Sequence, residues 1–186
     1  MVGVLAFHGD FAEHIAVLRL LNVDVQDVRS VDDMRDITHL VIPGGESTVI
    51  SRFLGETGVG DLIKARVTKG DMAVYGTCAG AILLAKKVTG KHPPATLQLM
   101  EITIDRNAYG TQVDSFAADI CVAGLQSPVS ASFIRAPIIT AAGEKCTVLA
   151  KHGDYPILVR QGRMLAGTFH PETRGEVAIH KLFLTL

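Results

Sequence analysis

The sequence predicts an α/β fold of three layers, in which a mostly parallel central sheet lies between two layers of helices. Apolar stretches bounded by turn residues alternate with stretches of helical period over the first 90 residues, and this order is typical of parallel sheets with helices on both faces. The later part of the chain consists of short strands separated by turns, which favours antiparallel pairing there. A hydrophobic fraction of 48% with 20% charged residues is that of an ordinary globular protein.

Four strands and two helices are predicted before residue 77. The first helix follows His8-Gly9-Asp10 and has Phe11, Ile15, Leu18 and Leu21 on one face. The second, "DLIKARVTKG", ends at Gly70. The strands are expected at "VGVLAF" (2–7), "VDVQDV" (23–28), "HLVIPGG" (39–45) and "MAVYG" (72–76).

The pattern changes after residue 95. Gly162 and Arg163 separate two predicted strands as a hairpin turn would, and "EVAIHKLFLTL" at the end is expected to pack as a helix. The predicted strands of this half are "LMEITID", "FAADICVA", "CTVLAKH", "YPILVRQ" and "MLAGTF".

Length and charge exclude several classes of protein. The 186 residues are enough for one domain with a full core, so we expect a single domain over residues 1–186. Lys plus Arg number 18 against 19 for Asp plus Glu, so no overall field attracts nucleic acid or anionic lipid. The chain shows neither a signal sequence nor an apolar run as long as a membrane span. We expect a soluble protein that binds neither nucleic acid nor membrane.

The cysteines indicate a reducing compartment. Cys78, Cys121 and Cys146 are odd in number and widely spaced, without a C-x-x-C pair, so neither a disulfide framework nor a zinc site is indicated. Cys121 and Cys146 fall in predicted strands and are expected to pack there. We therefore expect a cytoplasmic protein without a metal or other cofactor.

The segment "VYGTCAGA" (74–81) places Cys78 between two glycines, where a predicted strand runs into the helical stretch "AILLAKK". G-x-C-x-G at such a turn is the cysteine form of the nucleophile elbow, whose sharp backbone requires glycines on either side. A thiol there lies at the carboxyl end of a parallel strand and at a helix N-terminus, which favours the thiolate. The alternative is a small, buried and unreactive cysteine.

A cysteine nucleophile requires a base, and His170 in "AGTFHPE" follows a predicted strand end. In an extended segment residues i and i+2 point the same way. Glu172 is therefore expected to hold one imidazole nitrogen while the other faces Cys78, as a Cys-His-Glu triad. The alternative is a histidine in a turn beside an exposed glutamate. The other six histidines are interpreted mostly as solvated or structural.

A third motif, "PGGES" (43–47), also follows a predicted strand. Gly44 and Gly45 let backbone N–H groups approach a ligand closely, as an oxyanion hole requires. Taken alone, the motif is an ordinary Gly-Gly turn. Together, the three strand-end motifs supply a nucleophile, a base and oxyanion donors, and this combination favours an enzyme.

These motifs resemble those of the class I, or triad, glutamine amidotransferases, and within them the family of glutaminase subunits of pyridoxal 5′-phosphate synthase. The resemblance runs from "GVLAFHGDFAEH" through "PGGEST" and "YGTCAGAILLAK" to "FHPE", which is essentially the whole chain. "GTCAG" and "HPE" mark the glutaminase group, whereas "RNAYGTQVDSF" and "FIRAP" mark the vitamin B6 branch. The resemblance implies a flavodoxin-like fold.

The resemblance also implies a role for each matching residue. Cys78 attacks the side-chain amide of L-glutamine, His170 acts as general base and then as acid toward the departing ammonia, and Glu172 orients His170. Water then hydrolyses the γ-glutamyl thioester to glutamate. For Arg106 and Arg135 the alternative is a surface ion pair. The matching glutamine-binding residues are Gly44, Gly45, Glu46, Ser47, Arg106, Ile134 and Arg135.

The implied partner is a (β/α)8-barrel synthase that receives the ammonia and builds pyridoxal 5′-phosphate. Docking is expected on the first helix and its approach, "HGDFAEH" (8–14), with low glutaminase activity in the isolated chain. Two departures from the family pattern stand out. His8 replaces the usual glutamine, and "LQLM" (97–100) replaces a version that contains glycine.

Three alternatives stay open. A glutaminase subunit for another synthase, such as the histidine-pathway enzyme, keeps the triad, but "QVDSF" and "FIRAP" argue against it. A cysteine hydrolase of the related stress-protein group has a similar elbow but lacks the downstream "HPE". A non-catalytic binding module has no need of Cys78, His170 and Glu172 together, and a measurement of ammonia release from glutamine distinguishes it.

Overall fold

The computed structural model describes residues 1–106 and 115–186. Its helices are α1 (Phe11–Leu20), α2 (Ser47–Glu56), α3 (Val59–Lys69), α4 (Ala79–Leu84) and α5 (Ala178–Phe183), and 3-10 turns cover Asp32–Met34 and Glu172–Arg174. Its strands are β1 (Val2–Leu5), β2 (Val25–Val28), β3 (His39–Ile42), β4 (Ala73–Thr77), β5 (Ala85–Thr89), β6 (Met100–Asp105), β7 (Phe116–Ile120), β8 (Val129–Phe133), β9 (Ile138–Ala142), β10 (Thr147–His152), β11 (Tyr155–Gln161) and β12 (Met164–Gly167).

Seven of these strands form the central sheet, in the order β10-β11-β12-β4-β3-β1-β2. The strands from β12 to β2 run parallel, and β10 and β11 add an antiparallel edge. Gly162 and Arg163 connect β11 to β12 as the predicted hairpin, with Gln161 opposite Met164. The predicted fold class, a mostly parallel sheet with antiparallel strands later in the chain, is confirmed.

Both faces of the sheet are buried, because successive side chains of a strand point to opposite sides. In β3, Leu40 and Ile42 join one hydrophobic core and Val41 joins the other. Helices therefore cover both faces and produce the three layers. The covering side chains are Ile50, Leu54, Ile63 and Ile82 from α2, α3 and α4 on one face, and Ile15, Leu18, Ile179 and Phe183 from α1 and α5 on the other.

Several segments differ from the sequence prediction. The helix α2 and the strands β8 and β9 are not among the predicted elements. The helix predicted over "AILLAKK" is wrong beyond Leu84, because β5 begins at Ala85. The carbonyls of Leu83 and Leu84 accept hydrogen bonds from the backbone N–H groups of Leu97 and Leu99, at 2.7 and 3.0 Å. These bonds occupy the last carbonyls of α4, so the helix does not continue.

Smaller sheets complete the described part of the chain. β5, β6 and β9 form one, and β7 and β8 form another. β8 ends directly before Ile134 and Arg135, and β6 ends directly before Arg106. Most of the motif "RNAYGTQVDSF", residues 107–114, lies outside the described residues. Within the described ranges no helix has both the length and the apolar character needed to cross a membrane.

Candidate active site

The site lies at the edge of the sheet where four parallel strands end. β12, β4, β3 and β1 are neighbours in this order, so the segments that follow them meet at one edge. These segments contain His170, Cys78, residues 44–47 and residues 8–10. The structure thus brings together the three motifs that the sequence analysis singled out.

Cys78 occupies a strained turn between β4 and α4. Its φ of 49° and ψ of −100° lie in a region that non-glycine residues rarely adopt, at a cost of roughly 1–3 kcal/mol. The flanking glycines permit the turn, because a Cβ on Gly76 would collide with the backbone of Gly80, and one on Gly80 with the carbonyl of Ile42. The backbone N–H of Cys78 donates to Gly167 O at 2.7 Å, which ties the turn to β12.

His170 lies between the thiol and a carboxylate. Its Nδ1 lies 2.7 Å from Glu172 Oε1, and the Cys78 side chain is near enough to raise the pKa of the imidazole. The backbone N–H of His170 donates to Ser132 O of β8 at 2.8 Å. Burial by itself lowers the pKa of His170, but the hydrogen bonds and charges of Cys78 and Glu172 raise it to about 10. The arrangement therefore favours a protonated imidazolium at His170 at neutral pH.

Glu172 is buried, with 3% of its surface exposed, so the alternative of an exposed glutamate is wrong. The extended backbone expected over residues 170–172 is also wrong, because Pro171 adopts φ −69° and ψ −31° and Glu172 begins a 3-10 turn. This turn brings the carboxylate to His170. Burial raises the pKa of Glu172, and the hydrogen bond to His170 and the charge of that residue offset part of the rise.

The loop between β3 and α2 packs directly against His170. A Cβ on Gly44 would collide with ring atom Cε1 of His170, so only glycine lets the backbone come this close. Glu46 caps α2, and Ser47 begins the helix as a buried residue. The backbone N–H of Glu46 donates to Nδ1 of His8 at 3.3 Å. The residue that replaces the family's usual glutamine therefore contacts the predicted glutamine-binding loop.

Arg106 and Glu46, both predicted to bind glutamine, contact each other. Arg106 Nη2 lies 2.8 Å from Glu46 Oε1, and Arg106 Nη1 donates to His92 O at 3.1 Å. Arg106 thus forms the ion pair of the alternative interpretation, but its partner belongs to the predicted glutamine-binding loop. Ile134 and Arg135 directly follow β8, whose residue Ser132 pairs with the backbone of His170. Arg135 adopts a φ of 45°.

Sequence reasoning missed two residues of the site, Asp10 and His14. Asp10 Oδ2 lies 3.3 Å from His170 Nδ1, and His14 Nε2 lies 3.5 Å from Glu172 Oε1. Both follow β1, and the end of that strand at the shared edge is the signal that could have found them. His14 has no exposed surface, so its inclusion in the docking segment 8–14 is wrong.

Three side chains of the site could together coordinate a cation. Asp10, His170 and Glu172 each offer one ligand atom, and these atoms lie within 4.8 Å of one another. A metal bound to His170 Nδ1 would compete with the hydrogen bond between His170 and Glu172. The expectation of no metal or other cofactor stays a prediction.

A mostly parallel sheet with this cysteine, histidine and glutamate at its edge is typical of the triad glutamine amidotransferases. Comparison with known proteins agrees with this class. The chain belongs to the SNO glutamine amidotransferase family, whose model matches residues 4–186. The family resemblance predicted from the sequence motifs is therefore confirmed.

Bacterial relatives align with the chain over nearly its whole length. The pyridoxal 5′-phosphate synthase subunit PdxT of one Thermus thermophilus strain is 45% identical, and the alignment covers 100% of this chain and 97% of the relative. The proteins of the same name from Mycolicibacterium vanbaalenii and Chloroflexus aurantiacus are 46% and 47% identical. Those alignments cover 98% and 100% of this chain, and 95% and 99% of the relatives.

Solved structures show the same fold. A crystal structure of a glutamine amidotransferase is 44% identical and superposes with a TM-score of 0.94, covering 99% of this chain and 97% of that one. A glutamine amidotransferase from Thermotoga maritima is 13% identical, with a TM-score of 0.62 and coverage of 94% of this chain and 77% of that one. The second likeness supports the fold alone. Together with the family match, the first confirms the predicted enzyme class.

Proposed function

We propose that Cys78, His170 and Glu172 hydrolyse L-glutamine to L-glutamate and ammonia, as nucleophile, proton carrier and orienting carboxylate respectively. The observation that carries this proposal is the His170 imidazole, which lies 2.7 Å from a buried carboxylate at the sheet edge where the strained turn places Cys78. The chain is the glutaminase subunit of a pyridoxal 5′-phosphate synthase, like the PdxT relatives that align over its length. Their shared name favours this function over the histidine-pathway alternative.

The raised pKa of His170 determines the first half of the reaction. His170 holds the proton of the Cys78 thiol, and the sulfur attacks the side-chain amide carbon of glutamine and forms a tetrahedral adduct. The His170 imidazolium gives its proton to the amide nitrogen, the C–N bond breaks, and ammonia leaves a γ-glutamyl thioester. In the second half His170 takes a proton from water, the resulting hydroxide adds to the thioester, the C–S bond breaks, and glutamate departs. Cleavage of the C–S bond frees the Cys78 sulfur, and His170 keeps the proton taken from water.

Charges at the rim of the site match a free amino acid. Glutamine carries an α-carboxylate and an α-ammonium group, and the adjacent Arg106 and Glu46 have the opposite charges. Arg135 and Ile134, after β8, contribute a second cation and an apolar contact in this proposal. In this proposal the backbone N–H groups of residues 44, 45 and 47 donate to the amide oxygen, where negative charge develops in the adduct, because the N–H of Glu46 donates to His8.

Arg106→Ala is expected to raise the KM for glutamine by about tenfold, the loss of one charge-assisted hydrogen bond, and to change kcat much less. The reason is that Arg106 binds a part of the substrate that does not react. Steady-state kinetics of ammonia release measure both constants. Arg160→Ala is the matched control, because Arg160 donates to Gly162 O in the hairpin at the opposite end of the sheet. An unchanged KM in Arg106→Ala would remove this residue from the site.

The chain works with a synthase subunit, and its relatives are named as a subunit of pyridoxal 5′-phosphate synthase. We infer that this partner is a (β/α)8 barrel and that it docks on α1 and the segment before it. Docking delivers ammonia to the synthase before water protonates it. This matters because ammonium, the protonated form, is not a nucleophile. A cytoplasmic location and a single domain over residues 1–186 are part of the same proposal. The outward positions of α1 are Ala12, Glu13, Ala16, Arg19 and Leu20.

The isolated chain is expected to hydrolyse glutamine slowly, and several-fold faster when the synthase subunit is added. The physical reason is that docking aligns the backbone donors of the loop 44–47 only when an acceptor for ammonia is present. Ammonia release and formation of pyridoxal 5′-phosphate from glutamine are measured with and without the synthase. Glu13→Arg on α1 is expected to reduce the stimulation, and Glu56→Arg on α2 is the matched control. Equal rates with and without synthase would reject the coupling and leave the triad assignment intact.

A further inference from the structure

Two buried histidines beside the site have no role in the mechanism above. His14 of α1 and His180 of α5 have no exposed surface, and His14 Nδ1 lies 2.8 Å from His180 Nε2. The other ring nitrogen of His14, Nε2, lies 2.9 Å from Thr77 Oγ1 and 3.5 Å from Glu172 Oε1. One imidazole therefore contacts both the residue that precedes the nucleophile and the carboxylate of the triad.

Both imidazoles are neutral at physiological pH. Burial lowers the pKa of His14 well below its ordinary value, and the charges of His180 and His170 lower it further. Burial also lowers the pKa of His180 to about 4, although a backbone contact at Glu176 opposes the shift. Each ring therefore carries a single N–H, and the contact between the rings joins one N–H to one lone pair.

The carboxylate decides which nitrogen of His14 carries the proton. An ionised carboxylate is only an acceptor, and a lone pair on Nε2 directed at Glu172 Oε1 would be repelled. Nε2 therefore holds the proton, and Nδ1 accepts from the Nε2–H of His180. His180 therefore donates to His14, and His14 directs its own N–H at Thr77 and Glu172.

We propose that His14 is a positioning residue for the triad, whose Nε2–H donates to Thr77 Oγ1 at 2.9 Å and whose Nε2 lies 3.5 Å from Glu172 Oε1, and so holds the carboxylate in line with His170. The proposal rests on the catalytic role proposed above for Glu172. Glu172 Oε1 already accepts from His170 Nδ1, and a second N–H close to the same oxygen stabilises its negative charge. Because His14 belongs to α1, the orientation of the carboxylate depends on the placement of this helix.

Two amide variants separate positioning from packing. The amide nitrogen of glutamine reaches the place of imidazole Nε2, and that of asparagine reaches the place of Nδ1. His14→Asn therefore loses the donor to Glu172 and is expected to lower kcat about tenfold, the effect of losing one hydrogen bond to a charged group, with KM nearly unchanged. His14→Gln keeps the donor and is expected to retain most of the activity.

The pH profile gives a readout that packing would not change. Without the donor the carboxylate is no longer held in line with His170, and its hold on the His170 proton weakens, so the alkaline limb of kcat/KM moves to lower pH in His14→Asn and not in His14→Gln. The titratable groups that face His14 and the triad carboxylate are His180 of α5, Tyr75 of β4, Asp10 before α1, and His170.

The deciding experiment combines kinetics of the complex with the synthase and NMR of the isolated chain after labelling of histidine with ¹⁵N. The spectra are expected to show the Nε2–H tautomer for both His14 and His180, and this result does not depend on glutamine hydrolysis. Absence of hydrolysis in the parent complex would reject the proposed function and leave the tautomer test standing. An Nδ1–H tautomer at His14, parental kinetics and pH profile in His14→Asn, or equal losses of kcat and urea stability in both variants would reject the positioning role.

Discussion

Cys78→Ala is expected to lower glutamine hydrolysis by at least about 10⁴-fold, the scale of loss seen when a catalytic nucleophile is removed. In the proposed mechanism the bond to the substrate forms only at this thiol, and the variant retains substrate binding without a nucleophile. Cys78→Ser is expected to behave similarly, because a hydroxyl is far less acidic than a thiol and His170 has no thiolate partner. Ammonia release by the complex with the synthase, at saturating glutamine, measures the loss.

The remaining cysteines are the matched controls. Cys121 is exposed and follows β7, and Cys146 precedes β10 with its thiol 3.3 Å from Gln161 Oε1. Neither cysteine lies inside a strand, so the prediction that both belong to strands is wrong. Because Cys121 is exposed, the packing role predicted for it is also wrong. Cys121→Ser and Cys146→Ser are expected to keep most of the activity. Near-parental ammonia release by Cys78→Ala would show that the elbow does not carry the nucleophile.

His170→Asn is expected to leave almost no activity. The rate of glutamine hydrolysis by Glu172→Gln is expected to be roughly 100-fold higher than that of His170→Asn, because an orienting group contributes less than the base that it serves. His170 moves the proton in both halves of the reaction, and asparagine cannot carry one. Glutamine at residue 172 still accepts a hydrogen bond from His170 Nδ1, but without a charge. Single-turnover and steady-state rates of both variants are compared, and the opposite order of activities would show that the two roles are reversed.

The pH dependence of the same variants tests the electrostatics. The pKa of His170 is raised to about 10, so activity that requires the imidazolium declines only as the pH approaches that value. Glu172→Gln removes a charge that holds this proton, and the alkaline limb of kcat/KM is expected to move to lower pH. Asp10→Asn is expected to cause a smaller shift, because its carboxylate lies at 3.3 Å and is partly exposed. An alkaline limb that does not move in Glu172→Gln would contradict the proposed His170 to Glu172 coupling.

The sequence contains a signal for the helix α2 but none for the end of α4. In α2, Val49, Ile50, Phe53 and Leu54 recur at the spacing of a helix face, and Glu46 before them is able to cap the helix. The Pro-Gly-Gly break that precedes them is itself typical of a loop. The end of α4 at Leu84 was not readable in this way, because Leu97 and Leu99 occupy its last carbonyls from outside the helix.

The sequence by itself determined the parallel sheet and the strand-end placement of Cys78, His170 and residues 44–47. This was possible because the alternation of strands and helices brings the carboxyl ends of parallel strands to one edge. A short glycine-flanked motif also specifies its own backbone turn, independently of the rest of the chain. The proximity of the three motifs therefore followed from local patterns and one rule of topology.

Only the tertiary structure decided which side chains touch within that edge. His14 and His180 are 166 positions apart in the chain, and Arg106 and Glu46 are 60 apart, so no local pattern relates them. Their contacts depend on how α1, α5 and β6 pack around the sheet, to within an ångström, and hydrogen bonds and buried charges are sensitive to distances of that size. The burial of Glu172 and the neutral state of His14 follow from the same packing, because the pKa of a group depends on all the neighbours that replace water around it.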